Sequence, residues 1–127
     1  MVGFLHIVPA QAAVAPSKSV HFAMSPRLLA RESVLKQWKI VKEFQCLNTL
    51  WNRESHWNPK AFNKSSGAFG IAQFLPQTWG NYKYPYMPKD PVIQIKAGLR
   101  YITVRYGSPC KALNFWNHQA KLGNPWY

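Results

Sequence analysis

Residues 90–107 read DPVIQIKAGLRYITVRYG. Apolar side chains recur there every three or four residues, which is the spacing of one face of an α-helix: Val92, Ile95, Leu99, Ile102 and Tyr106. Asp90 before Pro91 is a typical helix start, because aspartate can cap the first turn and proline needs no N–H partner there. Gly107 is a natural C-terminal stop. This segment predicts the most regular helix of the chain.

A second helix face lies upstream. It consists of residues at helical spacing: Glu43, Leu47, Leu50, Trp51 and Glu54. Trp57-Asn58-Pro59 should end this helix, because the residue before a proline avoids the helical region. Ser25-Pro26 and Ser108-Pro109 are two further start signals, so one more helix is predicted on each side.

The middle of the chain is expected to be a loop. Residues 58–70 are rich in Asn, Ser and Gly, and a short helix is expected only after Pro76. No segment shows the alternation of a half-buried strand. The predicted fold class is therefore mostly α, as a single domain with one long central loop.

Composition narrows the class of protein. The chain has 127 residues, enough for one domain, and 16 Lys and Arg against 4 Asp and Glu give a net charge of +12. An apolar fraction of 47% excludes a disordered basic tail. The charge points to a polyanionic partner such as nucleic acid, an anionic membrane or a cell wall. Because Lys and Arg are dispersed and no groove-reading motif occurs, specific nucleic-acid binding is not expected.

The acidic residues limit the available chemistry. The chain has only four of them: Glu32, Glu43, Glu54 and Asp90. An all-carboxylate metal cage is nearly excluded, and the His and Cys residues lack metal-binding spacing, so no metal or cofactor is expected. Cys46 and Cys110 are either two thiols or one disulfide, depending on the compartment.

The N-terminal segment, residues 1–24, is interpreted as a flexible leader or a truncated signal segment ahead of a domain at residues 25–127. Ala10-Gln11-Ala12 and Ala13-Val14-Ala15 resemble small-residue cleavage sites, but no Lys or Arg precedes the apolar run. No run approaches the roughly 20 apolar residues of a spanning helix.

Glu54 is the first candidate for chemistry. It closes an apolar helix face and lies near Trp57, so burial should raise its pKa. A raised pKa suits a general acid near neutral pH. Helical periodicity alone leaves open the alternative of a solvated glutamate at the helix edge.

Several ordered motifs carry a family resemblance: Glu54-Ser55, then GAFGIAQFLP at 67–76, then Asp90-Pro91 with AGLRYI at 97–102, then ALNFWN at 112–117. Together they resemble the soluble lytic transglycosylases, which have a goose-type-lysozyme-like fold and cleave the MurNAc–GlcNAc bond of peptidoglycan. The segments 46–58, 106–110 and 126–127 are similar to the exported, cysteine-containing branch that includes aggregation-promoting-factor-like proteins.

The resemblance implies a role for each matching residue. Glu54 would be the catalytic acid and base, and Ser55 would orient its carboxyl or polarise the acetamido region of the substrate. Gln73 would both donate hydrogen bonds to the glycan and accept them from it. Gly67 and Gly70 would let the backbone approach the sugar. Further substrate contacts are implied for Phe69, which has core packing as its alternative, and for these residues: Tyr101, Trp116 and Asn117.

In this branch a disulfide between Cys46 and Cys110 is implied. Trp116 departs from the family, which usually has a tyrosine there. Indole donates one hydrogen bond and accepts none, so a hydroxyl role is lost and stacking on a sugar remains open. His56 is interpreted as a surface residue without a role.

The carboxylate count bears on the reaction type. Glycoside hydrolases usually pair two carboxyl groups about 5–9.5 Å apart. Glu43 is separated from Glu54 by about 16 Å of helix, Glu32 belongs to another helix, and Asp90 should be committed to capping. A transglycosylase needs one carboxyl group only, because the C6 hydroxyl of MurNAc attacks C1 and closes a 1,6-anhydro ring.

The expectation is thus a monomeric, exported lytic transglycosylase with peptidoglycan and the anionic cell wall as partners, or a virion-associated one if of phage origin. Two alternatives remain: a lysozyme-like hydrolase, and a non-catalytic basic protein that binds cell wall or nucleic acid.

Overall fold

Five helices form the part of the chain that the computed structural model describes, residue 3 and residues 24–127. In chain order they are α1 Pro26–Trp38, α2 Val41–Ser55, α3 Pro76–Asn81, α4 Pro91–Arg105 and α5 Pro109–Lys121. The mostly α fold class is confirmed. The predicted leader lies outside the described residues except at residues 3 and 24.

Local sequence explains where the helices begin. Four of the five start at a proline, where the missing N–H costs nothing. The preceding side chain caps three of them: Ser25 accepts from the N–H of Leu28, Asp90 from that of Val92 and Ser108 from that of Lys111. The predicted starts at 25–26, 90–91 and 108–109 are confirmed.

The end of α2 differs in its cause from the prediction. The helix ends at Ser55, before the proline at position 59 can act. His56 adopts a left-handed conformation with φ 50°, and its N–H donates to the Asn52 carbonyl. A left-handed residue closes the last turn by itself. The prolyl ring therefore shapes the loop and not the helix end.

The core lies between the helices and under the segment that joins α2 to α3, residues 56–75, called the central loop below. α2 packs against α1 and α5, and α4 also contacts both of these. Leu47, Leu50 and Trp51 of α2 are fully buried, as is Ile71 of the central loop. The loop is therefore part of the hydrophobic core.

Two isolated antiparallel bridges shape the central loop, one between Phe62 and Phe69 and one between Phe69 and Phe74. The buried side chain of Gln94 on α4 then fixes it. Its Oε1 accepts from the N–H of Ile71 at 2.9 Å, and its Nε2 donates to the carbonyl of Pro59 at 2.9 Å. Because every polar atom of this amide is used, the loop has a defined position over α4.

A disulfide joins Cys46 of α2 to Cys110 at the start of α5, with Cα atoms 4.9 Å apart. The Glu43 carboxylate accepts from the backbone N–H of Cys110 at 2.8 Å on the same side. The α2–α5 pair is thus held by a covalent bond as well as by packing. None of the described helices is long and apolar enough to cross a membrane.

Candidate active site

A cleft of about 640 Å³ opens where the end of α2, the central loop, α4 and residues 124–127 meet. Glu54 comes from α2, Gln73 from the loop, and Tyr101 and Arg105 from α4. Among the residues implied by sequence, the structure brings Glu54, Gln73 and Tyr101 into this one space. The volume of the cleft is large enough for several sugar units.

The Glu54 carboxyl is half-buried in the last turn of α2. Burial raises its pKa from 4.5 to about 7, although a hydrogen bond from Trp116 lowers the pKa in part. The neutral acid and the carboxylate are therefore both accessible near neutral pH. This is the behaviour that its place on an apolar helix face predicted.

Trp116 donates its indole N–H to Oε1 of Glu54 at 2.9 Å. Arg53 packs on the indole, with its guanidinium carbon 4.6 Å from the ring centroid. Asn117 in turn holds Arg53, because its Oδ1 accepts a hydrogen bond from the guanidinium at 2.7 Å. Neither Trp116 nor Asn117 lines the cleft. In this structure both residues support Glu54, Trp116 directly and Asn117 through Arg53. Their implied contact with substrate stays a prediction.

Gln73 lines the cleft in a left-handed backbone conformation with φ 55°. Its Nε2 already donates to the carbonyls of Ala61 at 3.1 Å and Gly70 at 2.9 Å. Both amide protons are thus committed, and only Oε1 is left for a ligand. The structure as it stands therefore favours acceptance by Oε1, and the expectation that Gln73 also donates to the glycan stays a prediction.

Three further residues implied as substrate contacts do not line the cleft. Ser55 is buried, and its hydroxyl donates to the Ile71 carbonyl at 2.7 Å, so it ties the central loop to α2 instead of orienting the carboxyl. Phe69 is 5% exposed and belongs to the core, which is the packing alternative.

Gly70 is the third. A Cβ there would come within 2.6 Å of Oε1 of Gln94, and the residue has φ +84°. The glycine is needed for the close approach of Gln94, and the implied approach of a sugar stays a prediction. Gly67, with φ +77°, would likewise bring a Cβ to 3.2 Å from Pro76. Both glycines shape the loop that carries Gln73.

Tyr101 forms part of the cleft wall. It is 9% exposed, and its hydroxyl donates to the Tyr127 carbonyl at 2.9 Å. Burial raises its pKa, so the phenol stays neutral.

Sequence reasoning missed a wall of the cleft formed by residues 124–127. The Tyr127 hydroxyl donates to the Ala72 carbonyl at 3.0 Å and accepts from the Trp51 indole at 2.9 Å, and burial raises its pKa well above the usual value. These bonds hold the wall beside Glu54. No periodic pattern signals it, and only the Trp126-Tyr127 pair is distinctive in the sequence.

Glu54 is the one acidic side chain that lines the cleft in the described part of the chain. Asp90 caps α4, accepting from Val92 at 2.9 Å, and Glu43 accepts from Cys110. Glu32 is exposed on α1. The arrangement can therefore donate and recover a proton at Glu54, but it offers no second carboxylate to hold a water or to attack a sugar.

Comparison with protein families gives a match to the transglycosylase SLT domain over residues 35–117. Since this is more than half of the chain, the protein belongs to that family. Membership indicates a transglycosylase-type enzyme that acts on peptidoglycan. No curated protein matches the chain, and no solved structure does. Residues 124–127 lie beyond the matched segment.

Proposed function

We propose that this protein is a lytic transglycosylase in which Glu54 is the only general acid and base. It would cleave the bond between MurNAc and GlcNAc and leave 1,6-anhydroMurNAc ends. The observation that supports this most is the single carboxyl of the cleft, whose pKa of about 7 allows it to act in both protonation states.

In the proposed reaction, the Glu54 carboxyl group takes part in two proton transfers. Protonated Glu54 gives its proton to the glycosidic oxygen as the bond from C1 of MurNAc breaks, and GlcNAc leaves with a new hydroxyl. The C6 hydroxyl of the same MurNAc then attacks C1, and the Glu54 carboxylate takes its proton. No water is consumed, and the enzyme returns to its starting state.

The neighbours of Glu54 serve this cycle in different ways. Trp116 donates to one carboxyl oxygen and so stabilises the ionised form that follows the first transfer. Oε1 of Gln73 is positioned to accept from a hydroxyl or acetamido N–H of the glycan. Ser55 is a positioning residue, because its bond to Ile71 fixes the loop that carries Gln73.

We further infer export and a place in the aggregation-promoting-factor-like branch. The disulfide between Cys46 and Cys110 suits an oxidising compartment outside the cytosol. The net charge of +12 would favour retention on an anionic cell wall by a protein that acts as a monomer.

The direct test replaces Glu54 by glutamine and measures clearing of purified sacculi. Glu54→Gln keeps the shape of the side chain but cannot supply a proton, so we expect a loss of about 10²-fold or more. Glu32→Gln is the matched control, because it removes the same charge from an exposed position on α1. Clearing by Glu54→Gln at the parent rate, with the circular dichroism unchanged, would refute the assignment.

A further inference from the structure

Arg105 is a cation that lines the cleft without a role in the proposed proton transfers. It lies on the last turn of α4 and is exposed. Its guanidinium carbon lies 5.6 Å from the ring centroid of Tyr101, 5.8 Å from that of Tyr106 and 5.3 Å from that of Trp126. Three aromatic rings thus hold the charge in one place, at cation–π distances.

None of the four acidic side chains, all of them within residues 24–127, pairs with this charge. The carboxylates of Glu43 and Asp90 bond to backbone N–H groups, and that of Glu54 bonds to Trp116. Glu32 is exposed on α1. The guanidinium has five N–H donors, so donors remain beside its contacts with the Tyr101 and Tyr106 hydroxyls. The partner that this fork of donors matches best is a carboxylate.

The position of Arg105 depends on residues that the family match does not cover. Trp126 is 39% exposed, and its ring meets that of Phe115 edge-on at 4.9 Å between centroids. The neighbouring Tyr127 is half-buried and anchors this wall to Trp51 and Ala72. The wall of residues 124–127 therefore fixes the Trp126 ring and, through this ring, the Arg105 guanidinium beside the cleft.

We propose that Arg105, held by Trp126, binds a carboxylate carried by the glycan and so selects muramic-acid-containing strands over neutral ones. This inference rests on the proposed function, since it concerns an additional subsite of the same cleft. GlcNAc has no carboxylate. MurNAc carries a lactyl carboxyl group, which is free in strands without peptides and amide-bonded in strands whose stem peptides supply carboxylates of their own.

The test measures binding by calorimetry in the Glu54→Gln variant, so that no ligand is cleaved. Three probes are compared: chitin tetramer, a GlcNAc–MurNAc tetramer with free lactyl groups, and the same tetramer with stem peptides. We expect Arg105→Ala to weaken binding of at least one carboxylate-bearing tetramer about tenfold, as for loss of a charge-assisted hydrogen bond. Chitin tetramer should change by less than a factor of about two.

Arg100→Ala is the matched control. Arg100 lies on the same helix, its guanidinium carbon is 5.7 Å from the Tyr82 ring centroid, and it does not line the cleft. It should leave all three affinities unchanged. A loss with only one carboxylate-bearing tetramer identifies the lactyl group or the peptide as the source.

Equal weakening of chitin tetramer by Arg105→Ala, an equal effect of Arg100→Ala, or no effect of Arg105→Ala on either acidic tetramer would overturn the inference while leaving the proposed function in place. Failure of every glycan to bind the folded Glu54→Gln protein would instead remove the proposed function, and this subsite with it.

Discussion

At Glu54 two physical effects act on one carboxyl group in opposite directions. Burial at the end of α2 favours the neutral acid, while the Trp116 indole favours the carboxylate by donating to Oε1. Burial is the larger effect, and the resulting pKa is about 7. The residue at position 116 therefore adjusts the pKa of Glu54 by donating a hydrogen bond to it; unlike a tyrosine hydroxyl, the indole cannot accept one in return.

Replacing Trp116 by phenylalanine should raise the pKa of Glu54 further, because burial remains and the opposing hydrogen bond is lost. The general acid must be protonated, so activity falls as the pH rises through this pKa. We expect the alkaline limb of the kcat/KM profile to move to higher pH by up to about one unit. The measurement is the initial rate of sacculus clearing across pH.

Trp57→Phe is the control for that profile. It removes an indole N–H that donates to Asn48 at 3.0 Å and not to Glu54. The alkaline limb of this variant's profile should therefore coincide with that of the parent. A Trp116→Phe limb that stays in place, or moves to lower pH, would mean that the indole does not act on the carboxyl.

Motif spacing identifies residues of the site but not the direction in which their side chains point. Glu54 could be predicted because helical periodicity places it on a buried face. Ser55 follows Glu54 in the sequence and Phe69 belongs to the motif at 67–76, yet both side chains are buried in the core. Arg105 and Trp126 could not be predicted, because their meeting depends on the chain returning after α5.

At the scale of elements, the central loop determines where Gln73 stands. It is held from α2 by the Ser55 hydroxyl and from α4 by the Gln94 amide. Gly70 allows the latter contact, since a side chain there would occupy the space of Gln94. The loop is therefore positioned by two buried side chains, although its sequence is polar and irregular.

Gly70→Ala should destabilise the protein more than Gly123→Ala does. Both glycines have positive φ, +84° and +79°, but a Cβ at Gly123 meets no atom within 4 Å. Alanine at either position pays about 1–2 kcal/mol for the left-handed conformation. At Gly70 we expect a further loss of about 1–3 kcal/mol from the clash with Gln94, measured by urea unfolding. Equal losses would show that the loop can shift away from α4.

The helices could be predicted much better than the loop. Their starts are encoded locally by Ser-Pro and Asp-Pro pairs, whose effect does not depend on the rest of the chain. The bridges that pair Phe69 with Phe62 and with Phe74 need no alternating pattern, because each is a single residue pair. Their formation depends on tertiary burial of Phe69, which no local signal records.

For the whole molecule, the distribution of charge is the property that connects fold to function. The chain has a net charge of +12. Among the described residues, one acidic side chain lines the cleft, and burial raises its pKa. One arginine also lines the cleft, and aromatic rings surround its guanidinium. Its other carboxylates cap α4, bond to α5 or lie on the surface of α1. Proton transfer is thus concentrated at one side chain.

The measurement that tests this account most directly is mass spectrometry of the muropeptides released from purified peptidoglycan, after treatment with borohydride. With Glu54 as the only acidic side chain that lines the cleft among the described residues, we predict 1,6-anhydroMurNAc ends, one water lighter than hydrolytic products and resistant to reduction. The Glu54→Gln protein, purified in parallel, should release neither kind of end. Predominantly reducible MurNAc ends would contradict the account, because they show that water and not the C6 hydroxyl attacks C1.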